Sequence, residues 1–342
     1  MQPKILFVIG DTGSGHYCLP LWERWKNKKK YDWKIISLDY VNKALNLFRF
    51  SENLINKYNE SISFEKNLQV INWKPDLIFS SASFKKIEAD SLVYSRKKKV
   101  NGIQFFDSWY NYYKRLVKKD NQILAQKVCV IDNNAFDEAV LEGIEKEKLV
   151  IVGHPYFEKI KKIKKKKITK KITNNLMFIN QPISKYKEMR FLNYDEKDVW
   201  KIVFEAIKNV RSKYKNFYFA MHPQENRIPL KKKIIKDLNI TLLRNGQEGM
   251  EKSDIILGIF SSLMFDAFLK NKNVVSVQPR FKTKNLCILS KGSYIKLISD
   301  QKELENYLSG KENIKDKTTT FQKSLKGSLK RLESFLNNEK KN

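Results

Sequence analysis

An α/β protein of two Rossmann-like domains, each a mostly parallel sheet covered by helices, is what the amino-acid sequence predicts. Short β-rich apolar runs alternate with longer amphipathic stretches along the chain, the pattern of strands joined by crossover helices. The 342 residues exceed one ordinary core and suit two. The alternation breaks once, at 156–173, where nine lysines between Lys159 and Lys171 leave only isolated isoleucines. Such a run repels itself and stays solvated, as a linker or exposed helix does.

In the first half the strand-like runs are 5–9, 33–38, 76–79, 100–106, 128–131 and 149–152, and the helix-like stretches are 19–28, 42–57, 85–95 and 135–143. A second series follows at 176–180, 195–213, 217–221, 231–237, 240–243, 255–259, 262–269 and 274–277, and a polar amphipathic helix closes the chain at about 318–336. These place an N-terminal domain at 1–157, a Lys-rich linker at 158–174 and a C-terminal domain at 175–317. The final helix, 318–338, is expected to pack back on the first domain. The simplest architecture sets the two domains facing each other across a cleft.

Hydrophobic residues at 42%, with 21 Phe, 15 Tyr and 6 Trp, supply packed interiors and exclude a wholly disordered chain. The formal charge of +30 reads as a solvated basic surface, as attraction to an anionic membrane, or as nucleic-acid binding. No zinc-finger, RNP or helix-turn-helix pattern accompanies it, which disfavours nucleic acid. Cys18, Cys129 and Cys287 are odd in number and far apart, neither a disulfide framework nor a zinc spacing. The start runs directly into a short apolar strand, with no signal-peptide core and no spanning segment, so a cytoplasmic protein is expected.

All three histidines sit where an apolar run stops at Gly, Pro or Asp. His16 closes Asp11-Thr12-Gly13-Ser14-Gly15-His16, His154 lies in Gly153-His154-Pro155, and His222 lies in Met221-His222-Pro223-Gln224-Glu225. In open α/β sheets ligands bind outside the carboxyl ends of the strands, so such groups face a crevice. The first segment reads as strand, glycine turn and helix start, where backbone amides approach a bound group closely. It lacks the G-x-G-x-x-G dinucleotide spacing. Ser261-Ser262 follows the strand at 255–259 and starts a helix, so two hydroxyls, free amides and the helix dipole can meet a phosphate there. His222, on a parallel strand end, adds a donor to that phosphate or to a departing nucleotide.

Gln181, in Asn180-Gln181-Pro182 at the end of the first strand of the second half, is a secondary candidate for donor phosphate or base, beside its reading as a turn residue. Asp107-Ser108-Trp109-Tyr110-Asn111-Tyr112-Tyr113 follows another strand. Aromatic faces such as Trp109 beside Asp107 and Asn111 are what a sugar acceptor meets, although core packing explains the aromatics equally. Asp107 is thereby a candidate base. Gly153-His154-Pro155 reads as a turn into the linker, with His154 structural. No Asp-x-Asp and no Cys or His cluster occurs, so no metal and no resident cofactor is expected.

The Asp11–His16 segment resembles the first glycine loop of two-domain lipid-linked glycosyltransferases such as the monogalactosyldiacylglycerol synthases, departing from it by Ser14 in place of the middle glycine. That resemblance implies an acceptor-side loop, with Gly13, Ser14 and Gly15 lining the acceptor site and Asp11 and His16 as the catalytic base or its orienter. The pairing of His222-Pro223 with Ser261-Ser262 resembles the His-Pro and Ser-Ser/Thr motifs of bacterial sialyltransferases, polysialyltransferases and related transferases of CMP-linked nonulosonic acids or Kdo. It implies that His222, Pro223, Ser261 and Ser262 bind the CMP part of the donor. Asp266-Ala267 is similar to the Glu-Ala that holds a nucleotide ribose in two-domain transferases, one methylene shorter.

Together these imply a metal-independent glycosyltransferase of GT-B type. It would move a nonulosonic acid from a CMP-activated donor to a hydroxyl of a surface-glycan or lipid-linked acceptor, in capsule or lipopolysaccharide synthesis, with the basic surface holding it at the inner face of an anionic membrane. Which carboxylate is the base stays open between Asp11 and Asp107. Alternatives are a UDP-sugar transferase to a lipid-linked acceptor, a UDP-sugar 2-epimerase, a CDP-polyol transferase, or a noncatalytic nucleotide- or nucleic-acid-binding protein.

Overall fold

A computed structural model describes residues 3–339 apart from 29–30, 56–57, 60, 70–71, 117–123, 161–173, 224, 280–284 and 311–317. Most of the Lys-rich linker expected at 158–174 thus lies outside the described residues. The chain divides into two compact units, Met1–Lys159 with Lys323–Asn342, and Ile160–Gln322.

In the first unit the order is β1 (Lys4–Ile9), α1 (Thr12–Trp25), β2 (Asp32–Ser37), α2 (Asp39–Ala44), β3 (Leu54–Ile55), α3 (Phe64–Gln69), β4 (Leu77–Ser81), α4 (Lys86–Lys98), β5 (Asn101–Phe105), α5 (Tyr112–Leu116), β6 (Lys127–Val130), α6 (Asn133–Leu141), β7 (Leu149–Ile151) and α7 (Pro155–Lys159). Seven strands pair in the order β3-β2-β1-β4-β5-β6-β7, every pairing parallel. Side chains alternate across a sheet, so Ile5, Phe7 and Ile9 of β1 enter one core and Leu6 and Val8 the other. Phe7 meets Trp22, Trp25, Trp33 and Phe79 edge-on, with ring centroids 5.7–6.2 Å apart. This aromatic cluster fixes α1 across the sheet.

The second unit runs β8 (Asn175–Ile179), α8 (Glu196–Val210), β9 (Asn216–Ala220), α9 (Lys232–Asp237), β10 (Ile240–Leu243), α10 (Gly246–Lys252), β11 (Ile255–Gly258), α11 (Ser262–Leu269), β12 (Asn273–Val277), α12 (Ile288–Lys291), β13 (Lys296–Ile298) and α13 (Gln301–Leu308). Six parallel strands pair as β10-β9-β8-β11-β12-β13. Asp195 caps α8 by accepting from Lys197 N at 2.7 Å, while Asp198 accepts from Asp195 N at 2.9 Å, a reciprocal capping box. Val199, Val203, Ala206, Ile207 and Val210 then bury one stripe of that helix.

The chain ends in α14 (Thr318–Ser324) and α15 (Ser328–Asn338). Leu329, Leu332 and Leu336 of α15 join the core of the first unit that contains Phe7. Glu158 fixes the entry to α15 by accepting from Gly327 N at 2.6 Å and Leu329 N at 2.8 Å.

Three expectations need correction. α1 starts at Thr12 rather than near 19, because Asp11 caps it by accepting from Ser14 N at 2.8 Å; the glycine segment is the helix's first turn, not a loop before it. The helix expected over 42–57 stops at Ala44, since Asn46 is left-handed at φ 49° and Leu54–Ile55 pair with β2. The closing helix is two helices, because Gly327 adopts φ 83° between them.

Leu332 is fully buried, and deleting such a side chain loses transfer energy and leaves a cavity. Leu332→Ala is expected to destabilise the first unit by about 2–5 kcal/mol, read as a lower denaturant midpoint by near-UV circular dichroism.

Candidate functional site

Each sheet has a point where neighbouring strands send their connections to opposite faces, and crevices form outside the carboxyl ends of the strands there. In the first unit this is the β1–β4 pair and in the second the β8–β11 pair. The segment Asp11–His16 lies at the first of these places, and Gln181, Ser261 and Ser262 lie at the second.

In the first unit Asp11, Gly13, Ser14, Gly15 and His16 occupy the start of α1. A Cβ added to Gly13 would lie 2.5 Å from Asp107 Oδ2, so only glycine lets that carboxylate rest against the first turn. Gly15 serves packing instead: its Cβ would overlap Leu45. Asp107 Oδ1 pairs with Arg115 Nη2 at 2.9 Å, with both side chains nearly buried. The guanidinium also donates to Ala82 O and Ser108 Oγ and lies over the Phe106 ring, 4.8 Å from its centroid.

Protein packs densely around the Asp11 carboxyl. That desolvation, reinforced by the charges of Asp107 and Glu88, pushes its pKa up to about 7, against the helix-cap bond from Ser14 and the attraction of Arg115. His16 is pulled down to about 4 by burial and by Arg49, so its imidazole is neutral near pH 7. Ser14 Oγ, His16 Nδ1 and Tyr17 OH are buried with no hydrogen-bond partner among the described residues. The His16 ring lies 4.8 Å from that of Tyr156.

Trp109 and Asn111 follow Asp107 into the interior. The Trp109 indole is 3% exposed, donates to Asp132 at 2.8 Å and lies parallel to His154 and Phe157. Asn111 is buried in a left-handed conformation at φ 56°. His154 is buried, its Nδ1 accepting from Phe157 N at 3.3 Å, and burial lowers its pKa to about 3.

In the second unit Gln181, His222, Pro223, Ser261 and Ser262 emerge at carboxyl ends of β8, β9 and β11. Gln181 Oε1 accepts from Phe260 N at 2.8 Å, joining the two connections at the switch. Ser261 caps α11 by accepting from Leu263 N at 3.3 Å, and Ser262 opens the helix. His222 is pulled down to about 4 by burial and by Lys185, so it offers a hydrogen bond without a charge. Asp266 is buried and accepts from Gln247 Nε2 at 2.8 Å. Pro223 is exposed.

Several residues escaped the sequence reading. Buried Glu225 accepts from His222 N and from Asn180 Nδ2, each at 2.9 Å, and Asn180 in turn accepts from Trp200 Nε1 at 2.9 Å. Arg244 Nη1 donates to Glu225 O at 3.3 Å. In the first unit the missed residues are Arg115 and Glu88. Glu225 stood three residues beyond His222 and Asn180 beside Gln181, a local signal; the partners of Glu88 and Arg115 are remote in sequence. Among the described residues no group of three His, Cys, Asp or Glu side chains is placed to hold a metal ion.

The two-domain α/β architecture is similar in fold to solved glycosyltransferases and UDP-GlcNAc 2-epimerases. A UDP-GlcNAc 2-epimerase from Neisseria meningitidis, solved with UDP-GlcNAc bound, is similar at TM-score 0.65 and 15% identity over 98% of this chain and 100% of that one. The kitacinnamycin glycotransferase is similar at TM-score 0.62 and 9% identity over 99% of both chains. A glycosyltransferase from Rickettsia africae is similar at TM-score 0.61 and 13% identity, covering 99% of this chain and 98% of that one. At these identities the likeness is one of fold. No protein-family model matches the sequence, and a comparison with curated protein sequences found no match.

The raised Asp11 carboxyl has a stability consequence. The folded chain holds its proton up to about pH 7 against 3.8 for the free group, so ionisation opposes folding, from above the lower value until the cost is complete above the higher one. Asparagine caps a helix as well as aspartate. Asp11→Asn is therefore expected to be more stable than the parent at about pH 8, the difference vanishing near about pH 3; urea unfolding at the two pH values measures it.

Proposed function

We propose that this chain is a metal-independent glycosyltransferase in which the second unit binds a nucleotide-sugar donor and the first supplies the base that activates an acceptor hydroxyl. The observation that carries this reading is the Asp11 carboxyl, held at about 7 beside Asp107 at the start of α1, since a general base works best with a pKa near the working pH. Asp107 is committed to Arg115 through one oxygen, which favours Asp11 as the base. Two carboxylates at the head of α1 disfavour a phosphate there, although a helix N-terminus alone attracts one. Ser14 Oγ, His16 Nδ1 and Tyr17 OH, which have no hydrogen-bond partner among the described residues, suit an acceptor rich in hydroxyls.

Asp11 takes the acceptor proton as the hydroxyl oxygen attacks the anomeric carbon and the bond to the donor phosphate breaks. The departing nucleotide carries its negative charge to the second unit. There Ser261, Ser262 and the amides opening α11, with neutral His222, suit a developing phosphate charge. Pro223, Gln181 and Asp266 complete the proposed donor site, Asp266 toward the ribose.

The donor proposed is a CMP-linked nonulosonic acid, on the likeness of His222-Pro223 and Ser261-Ser262 to sialyltransferase motifs. The acceptor is a glycan or lipid-linked glycan, reached at an anionic membrane surface that the net charge of +30 attracts. No helix among the described residues is long and apolar enough to cross a membrane. A UDP-N-acetylhexosamine 2-epimerase is the second reading, favoured by the UDP-GlcNAc in the Neisseria meningitidis neighbour.

Two measurements decide between them. Asp11→Asn is expected to lower kcat by about 10²–10⁴-fold with little change in KM, while the parent's kcat rises with pH through about 7 and then levels. In thermal-shift assays CMP is expected to raise Tm where UDP does not, because a ligand of the folded state stabilises it, and His222→Ala is expected to weaken that shift. A shift with UDP alone, together with C2 epimerisation of UDP-GlcNAc, supports the epimerase instead.

A further inference from the structure

Behind the Gly10–Asp11 turn lies a carboxylate for which the proposed reaction has no direct use. Glu88, at the third position of α4, is fully buried. A glutamate there ordinarily closes the helix start by reaching one backbone amide, and Glu88 Oε2 does accept from Lys85 N at 3.1 Å. The same oxygen also accepts from Ser83 N at 2.7 Å, and Oε1 accepts from Ser83 Oγ at 2.6 Å and from Ser81 Oγ. Ser81 Oγ in turn accepts from Gly10 N at 2.9 Å, and Gly10 O accepts from Tyr40 OH at 2.8 Å. A Cβ on Gly10 would overlap both Glu88 Oε1 and Ser83 Oγ, so the turn lies directly on this network.

Capping a helix does not require burying a carboxylate, which is costly unless it is well bonded. The charged or titratable groups facing Asp11 are Glu88 from α4, Asp107 and Tyr110 from the segment after β5, and Arg115 from α5. Arg115 pairs with Asp107, whereas among the described residues no cation pairs with Glu88. Its four partners are all hydrogen-bond donors from β4 and the β4–α4 connection.

We infer that Glu88 is a positioning residue: through Ser81 it clamps the Gly10–Asp11 turn, and it keeps an uncompensated negative charge behind the Asp11 carboxyl. The inference rests on Asp11 being the base. The clamp fixes where the accepting oxygen stands, and the charge makes that oxygen hold its proton more tightly, as a neighbouring like charge does.

Glu88→Gln in the full chain tests it, because glutamine keeps the shape, presents its carbonyl to the Ser83 and Lys85 amides, and removes the charge. The titration of Asp11 is read by carboxyl carbon NMR on the ligand-free protein, independently of activity. A several-fold lower proton affinity at Asp11, with the acidic limb of kcat moving to lower pH in step, supports the inference. An unchanged Asp11 titration in folded Glu88→Gln overturns it. A titration that moves while the kcat limb stays overturns the role of Asp11 as base, and with it the role of Glu88 in the reaction. Ser81→Ala addresses the clamp even where Glu88→Gln does not fold. It is expected to cut kcat several-fold with the Asp11 titration in place, and an unchanged kcat removes the clamp.

Discussion

Both units depend on one constraint of parallel sheets: where adjacent strands send their connections to opposite faces, the chain opens and leaves backbone groups that need partners. At β1–β4 the Gly10 amide is met by Ser81, which Glu88 holds from below. At β8–β11 the Phe260 amide is met by the side chain of Gln181. In each case a side chain at the end of one strand or just beyond it satisfies the backbone of the connection that leaves its neighbour, and residues remote in the chain meet.

The two openings differ in charge. In the first, burial of Asp11 and the charges of Asp107, which Arg115 holds, and of Glu88 make the Asp11 carboxyl hard to ionise. The second presents an uncharged imidazole near Lys185, with a serine-capped helix start at the same sheet edge. An environment that resists further negative charge suits proton uptake. One that meets it with amides and hydroxyls suits a leaving phosphate.

Sequence patterns made the strands legible because buried parallel strands are continuous apolar runs, and β1, β8 and β11 stand almost where those runs lie. The edge strands β3 and β13 were not legible, being two and three residues long. The start of α1 was hidden by Gly13 and Gly15, poor helix formers that the capping of Asp11 and the proximity of Asp107 and Leu45 accommodate. Asp11, Asp107 and His222 were legible because each follows an apolar run. Glu88 and Arg115 were not, since what distinguishes them is burial against residues from other strands. The aromatic run after Asp107 supported two readings, and the indole of Trp109 lies in the interior against His154 and Phe157.

The return of α15 to the first unit bears on how the polypeptide is made. The second unit is an insertion within the first, its ends meeting where Gln322 donates to Ile160 O at 3.4 Å. Until α15 leaves the ribosome, one face of the first sheet lacks Leu329, Leu332 and Leu336, and the first unit carries uncovered apolar surface throughout translation of the insert. The sheet that emerges first is thus the last to be sealed, and exposed apolar surface of that kind is prone to aggregate.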